Sequence, residues 1–229
     1  MKSPIRRSTR AIALGVLAAM LLVPARGMGQ EVTWATSKNG SLPPPDAIAE
    51  PLRNLLFNES ADIRRGESLI RFWGVRALPV TGNTPEWSNV SPGTLVGAMQ
   101  LEAPLPDIRG VPIAPGVYTL RFALQPQDGD HMGVSPYRQF LVVVPAADDR
   151  TPEPLGHDGA VELGKKTQGR SHPAVLSIAP PAAKGATGPQ VIKTEDGHTA
   201  VVFGVDCTRD GTTVGTLAFG VVLVGRIEV

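Results

Sequence analysis

The chain has 229 residues, 22 Lys+Arg against 21 Asp+Glu, and a single cysteine. The near-balanced charge leaves no basic patch large enough to imply nucleic acid as a partner, and one thiol excludes an intrachain disulfide framework. With 25 Gly and 22 Pro, turns come at short intervals and long helical periodicity is scarce, which favours many short strands.

Residues 1–29 read as a signal peptide. Lys2, Arg6, Arg7 and Arg10 form a basic start, Ala11 to Val23 is apolar, and Ala25-Arg26-Gly27 or Gly27-Met28-Gly29 offers small residues for cleavage. The apolar run is short for a membrane span and is followed by Pro24 and polar chain, so removal is expected rather than anchoring. Ser8-Thr9-Arg10 after Arg6-Arg7 favours the ordinary secretory route over twin-arginine export. The expected location is the periplasm or the cell exterior, with no membrane insertion after the segment is removed. The remainder, residues 30–229, carries 17 basic and 21 acidic residues and is expected to form one domain held by its core.

In chain order, Val32 to Thr36 suggests a short edge strand. Asp46 to Phe57 has helical spacing at Ile48, Leu52 and Leu55, against which stands Pro51. Ser68 to Arg76 is an apolar strand with Gly74 suggesting a bulge or close backbone approach. Pro79 to Pro92 is a loop whose Trp87 is expected to fold back over the core. Thr94 to Leu101 alternates, and so does Val117 to Leu124, with Tyr118, Leu120, Phe122 and Leu124 opposite Val117, Thr119, Arg121 and Ala123. That alternation predicts a half-buried strand. Gln139 to Val144 is a second strand stopped at Pro145, antiparallel to the first. Ala146 to Gly156 is a charged connector, Asp158 to Gln168 a helix with Asp158 as N-cap and Gly169 at its end. Ala174 to Ile178 is a strand, Pro180 to Pro189 a linker, and His198 to Asp206 with Thr213 to Val224 a hairpin turning around Arg209-Asp210-Gly211. Together these predict a mainly β protein, an antiparallel β-sandwich with one or two short helices.

The stretch Ile113-Ala114-Pro115-Gly116-Val117-Tyr118-Thr119-Leu120 resembles the Pro-Gly-x-Tyr-x-Leu hairpin entry of transthyretin-like and carboxypeptidase-regulatory-like sandwich domains, and a similar stretch of exported bacterial domains. The likeness covers under a tenth of the chain. It implies an immunoglobulin- or transthyretin-like sandwich in an exported protein, and brings no catalytic residues.

The densest polar chemistry lies in the long connection from Gln125 to Arg138. Asp128, Asp130, His131 and Met132 fall within five positions and Tyr137-Arg138 close the loop. Imidazole with thioether suits copper, and imidazole with carboxylate suits zinc; alternate Asp residues are also ordinary turn formers. His172 and His198 are possible further ligands if they converge with His131. Cys207 beside Asp206, with His198 as base across the hairpin, is the one thiol arrangement to weigh. G-x-S-x-G and H-E-x-x-H are absent, and Ser135 lacks the second glycine of a nucleophile elbow. Three readings remain open. The first is a non-catalytic binding protein for a protein, small-molecule or glycan partner, using the 125–138 loop with Tyr118, Phe140 and Trp87 and no cofactor. The second is a periplasmic copper or zinc protein holding a divalent metal with His131, with Asp128, Asp130 or Met132, and with a distant histidine such as His172 or His198. The third is a hydrolase with an unassigned site.

Overall fold

A computed structural model of the chain describes residues 32–34, 42–65, 68–126, 137–180 and 189–225. Thirteen strands are found among them. The first layer is built from β1 (Val32–Trp34), β2 (Ala61–Arg65), β3 (Ser68–Gly74), β5 (Leu95–Leu101), β8 (Gly116–Leu124), β9 (Gln139–Pro145) and β10 (Val175–Ala179). The second contains β11 (Gln190–Lys193), β12 (Thr199–Arg209) and β13 (Thr212–Val224), with β4 (Leu78–Pro79) paired to β12. A separate two-stranded piece joins β6 (Leu105–Pro106) to β7 (Pro112–Ile113). The helices are a single turn, α1 (Glu50–Arg53), a 3-10 turn at Trp87–Asn89, and α2 (Gly156–Lys165).

The layers are one continuous curled sheet in the order β1-β2-β3-β5-β8-β9-β10-β13-β12-β11. Every pairing along that path is antiparallel, while β4 with β12 is parallel. β10 is the bend. Val175 to Ser177 pair with Val142 to Phe140 of β9, and Ile178 and Ala179 then pair with Val221 and Gly220 of β13 on the other side. The inner faces therefore meet: Phe72 of β3 lies 5.5 Å from Phe203 of β12, ring centre to ring centre. Buried apolar side chains from Ile48 to Leu223 form one core between them. Its burial is the main stabilising term, at about 25 cal/mol per Å² of apolar surface removed from water.

The structure is mainly β with few short helices, as the strand-and-turn pattern predicts. The two strands flanking the 125–138 loop are neighbours, registered from Tyr118↔Pro145 to Leu124↔Gln139. The terminal hairpin turns on Asp210 and Gly211, both at positive φ (51° and 78°), which is the two-residue geometry an Asp-Gly pair suits. Other expectations need correction. β8 is buried on both faces, since α2 covers its outer side: Ala123, Val142 and Val144 pack with Ala160. The helix starts at Gly156 with Leu155 at the N-cap, so Asp158 sits inside the first turn and does not cap by a side-chain hydrogen bond. The residues of α2 buried against the sheet are small, Ala160 and Gly164, with Leu163 partly buried against the same cluster. The reason is proximity, because a Cβ at Gly164 would fall 2.3 Å from Val142. Pro51 falls in the first turn of α1, where its missing N–H costs no intrahelical bond. The close backbone approach expected at Gly74 is found across the pair at Gly97, whose Cβ would meet the Trp73 carbonyl oxygen at 2.6 Å.

Candidate functional site

An open cleft of about 690 Å³ lies where β9 and β13 part around β10. The loop between β4 and β5 supplies one wall. Asn89 holds that loop folded, its Nδ2 donating to the Thr84 carbonyl (3.0 Å) and hydroxyl (2.9 Å), while the Thr81 N–H donates to the Asn89 carbonyl (2.8 Å). The result is that Trp87 turns inward as the sequence predicts. Its ring stacks on Phe122 at 4.7 Å and meets Phe219 edge-on at 5.2 Å, bridging the two layers. Trp87 is only partly buried, and with Glu86 and Ser88 it lines the cleft.

Tyr137 and Gln139 line the cleft as well. The base of the 125–138 loop is closed by the Gln125 N–H donating to the Arg138 carbonyl at 2.8 Å. Tyr137 is buried against Ile108, Ala179, Ala200 and Val222, and its hydroxyl donates to Asp196 Oδ2 at 2.6 Å. Burial, and then the Asp196 carboxylate, raise its phenol above the usual tyrosine range. Leu217 and Ala218 of β13 complete the apolar surface. Aromatic and aliphatic walls with a few fixed polar groups are the usual makeup of a ligand site, and the volume falls in the range such sites occupy.

The sequence-predicted residues divide as follows. Asp128, Asp130, His131 and Met132 lie outside the described residues. Tyr137 lines the cleft, and Arg138 is exposed beside it. Tyr118 does not support this region: it is buried at the far end of β8, where its hydroxyl donates to the Ala114 carbonyl at 2.8 Å. Phe140 turns to the outer face and packs under α2. His172 is exposed on the turn after α2. His198 is buried (8 % exposed) at the start of β12; its Nδ1 has no partner among the described residues. Its ring stands edge-on to Tyr137 at 6.0 Å. Among the described residues, no three His, Cys, Asp or Glu side chains are grouped as a metal ion would need.

The thiol arrangement is overturned. His198 and Cys207 lie nine positions apart along β12, about 30 Å of extended strand, and Cys207 is fully buried. Burial pushes its thiol up to about 11, so it is held protonated, the opposite of an activated nucleophile. Gln139, Asp196, Leu217 and Ala218 were not singled out by the sequence, because a cleft assembled from five separated segments has no local motif. Comparison with protein-family models, with curated proteins and with solved structures finds no match.

Proposed function

We infer that this is an exported binding protein with no chemistry of its own, and that its ligand enters the cleft between Trp87 and Tyr137. The observation that carries the reading is that both aromatic residues line one opening of about 690 Å³. Export is supported by the basic start, apolar run and small-residue cleavage region of residues 1–29. A binding role is supported by the cleft's composition: aromatic and aliphatic walls, with Gln139, Ser88, Glu86 and Asp196 as polar contacts. The predicted loop contact survives in this reading through Tyr137, which sits at the loop's end.

A thermal-shift screen of the purified protein against peptides, glycans and small metabolites tests it. Ser88 is exposed at the cleft and outside the core, so Ser88→Trp fills the opening without unfolding the protein. A ligand whose shift disappears in Ser88→Trp supports the reading. A ligand bound equally well by both proteins places the function elsewhere.

A further inference from the structure

We propose that Asn89 is a positioning residue of the cleft: its amide, seated on Gly82, fixes the turn that carries Trp87 before any ligand arrives. The inference rests on the reading of the cleft as the binding site and names what sets one of its walls.

The loop between β4 and β5 leaves the sheet at Val80, whose N–H donates to the Thr208 carbonyl at 2.9 Å. It returns at Val90, which is buried in the core. Its far end rests on the tip of the terminal hairpin. There the Arg209 guanidinium donates to the Asn83 side chain, and Pro85 packs on Gly215, where a Cβ would stand 3.0 Å from the proline ring. Trp87 belongs to the 3-10 turn Trp87–Asn89, so its direction depends on what ties that turn to the outgoing arm of the loop. Asn89 makes this tie twice. Its carbonyl accepts from the N–H and the hydroxyl of Thr81, at 2.8 and 3.2 Å. Its side chain reaches farther along the arm, to Thr84. The Thr84 carbonyl can only accept, so the atom that faces it is the amide nitrogen.

Gly82 provides the seat. A Cβ there would fall 2.5 Å from each of Cγ, Oδ1 and Nδ2 of Asn89, so the amide lies face-on against the Gly82 backbone. The φ of Gly82 is not in the left-handed region. The glycine therefore serves space and not backbone conformation. A methyl group at this position would displace the amide, which is the free end of a side chain, and leave the backbone where it is. Asn89 is not one of the residues that line the cleft, whereas Glu86, Trp87 and Ser88 are. It acts through them. A wall fixed in the free protein removes the ordering step that would otherwise weaken binding.

Incorporated fluorotryptophan places a fluorine on each of Trp34, Trp73 and Trp87. Fluorine NMR of the purified protein reads them separately, once each is assigned by replacement with phenylalanine. Asn89→Ala is expected to move the Trp87 resonance by more than its line width and to leave those of Trp34 and Trp73 in place. Gly82→Ala, which expels the amide while keeping Asn89, is expected to do the same. The double variant should match either single one, because the second substitution removes a contact that the first has already broken. A Trp87 resonance that stands still in both single variants overturns the positioning role. Shifts that add in the double variant also overturn it, since the two residues would then not act as one unit. If the three resonances move together, Asn89 supports the fold as a whole and the proposal is wrong. No ligand enters this experiment, so its failure is distinct from that of the cleft reading, which falls if Ser88→Trp abolishes the binding of no compound in the thermal-shift screen.

Discussion

Arg121 and Asp149 form a two-point ion pair with both side chains wholly out of solvent. Arg121 Nε donates to Asp149 Oδ2 at 2.8 Å and Nη2 to Oδ1 at 2.7 Å. The Thr119 hydroxyl donates to the same Oδ2 at 2.5 Å. The remaining guanidinium N–H groups reach the carbonyls of Gly93 (2.9 Å), Glu153 (3.1 Å) and Thr151. The charged connector that holds Asp149 is thereby fastened to the outer face of β8, and the turn before β5 is fastened with it.

Removing either partner leaves a buried charge without compensation. Arg121→Met or Asp149→Ala is expected to lower stability by about 3–5 kcal/mol. Arg121→Lys should recover little, because one ammonium cannot span a carboxylate and three separate carbonyls. Urea unfolding midpoints check this, and a loss below about 1 kcal/mol would mean that water reaches the pair.

Trp87 is expected to contribute to stability as well as to binding. Its contacts with Phe122 and Phe219 join rings from opposite layers. Trp87→Ala should cost about 3 kcal/mol, the low end for truncating a large aromatic, since the ring is only partly buried. Trp87→Phe should keep most of that. Denaturant titrations of the two variants read the difference, and equal losses would refute the stacking account.

At the terminal hairpin the cost of a side chain is purely conformational. Gly211 has φ +78° and nothing within 4 Å of where its Cβ would be, so Gly211→Ala meets no clash. It should still destabilise by about 1 kcal/mol, from the left-handed backbone alone. Asp210→Gly, at φ 51°, should be close to neutral. Thermal melting of both variants distinguishes them.

Alkaline pH should weaken the fold through Cys207. Burial chiefly, with Asp206 adding and a hydrogen bond to the Leu217 backbone opposing, lifts the thiol from 9.0 to about 11. The unfolded chain then gives up this proton first as pH rises. The thiol's contribution is complete below pH 9 and is lost between 9 and about 11. Tyr118 and Tyr137, also raised from 10.0 by burial, act in the same direction above pH 10. Cys207→Ala should therefore flatten the decline of stability between pH 9 and 11, whatever its effect at neutral pH. A disulfide-exchange reagent at pH 8 should label the native thiol slowly and the urea-unfolded thiol fast.

Much of the sheet was legible because its long strands are bounded by strong turn residues. Pro115-Gly116 opens β8, Pro145 closes β9, and Asp210-Gly211 joins β12 to β13. β2 and β11 were not, since short polar strands such as Ala61–Arg65, with Ile63 as the side chain fully buried, lack a clear alternation. Arg121 shows a second limit. Its place on the side of β8 opposite Tyr118, Leu120 and Phe122 could be read from alternation. The partner, 28 residues away in a connector, could not be read, because it depends on long-range packing. For the site, Trp87 and Tyr137 stood out as single aromatic residues in loops. Asp196, Leu217 and Ala218 became part of it only through the way the sheet curls.

β10 belongs to both halves of the molecule, and this makes them inseparable. A fragment ending before Val175 would expose the hydrogen-bonding rim of β9, and one beginning after Ala179 would expose that of β13 around Gly220 and Val221. Either piece, produced alone, would offer a bare apolar ribbon to its own copies and should precipitate rather than fold. Five residues thus act as the keystone of the whole architecture, and the division of labour between wall and mouth is set by where that short ribbon changes neighbours.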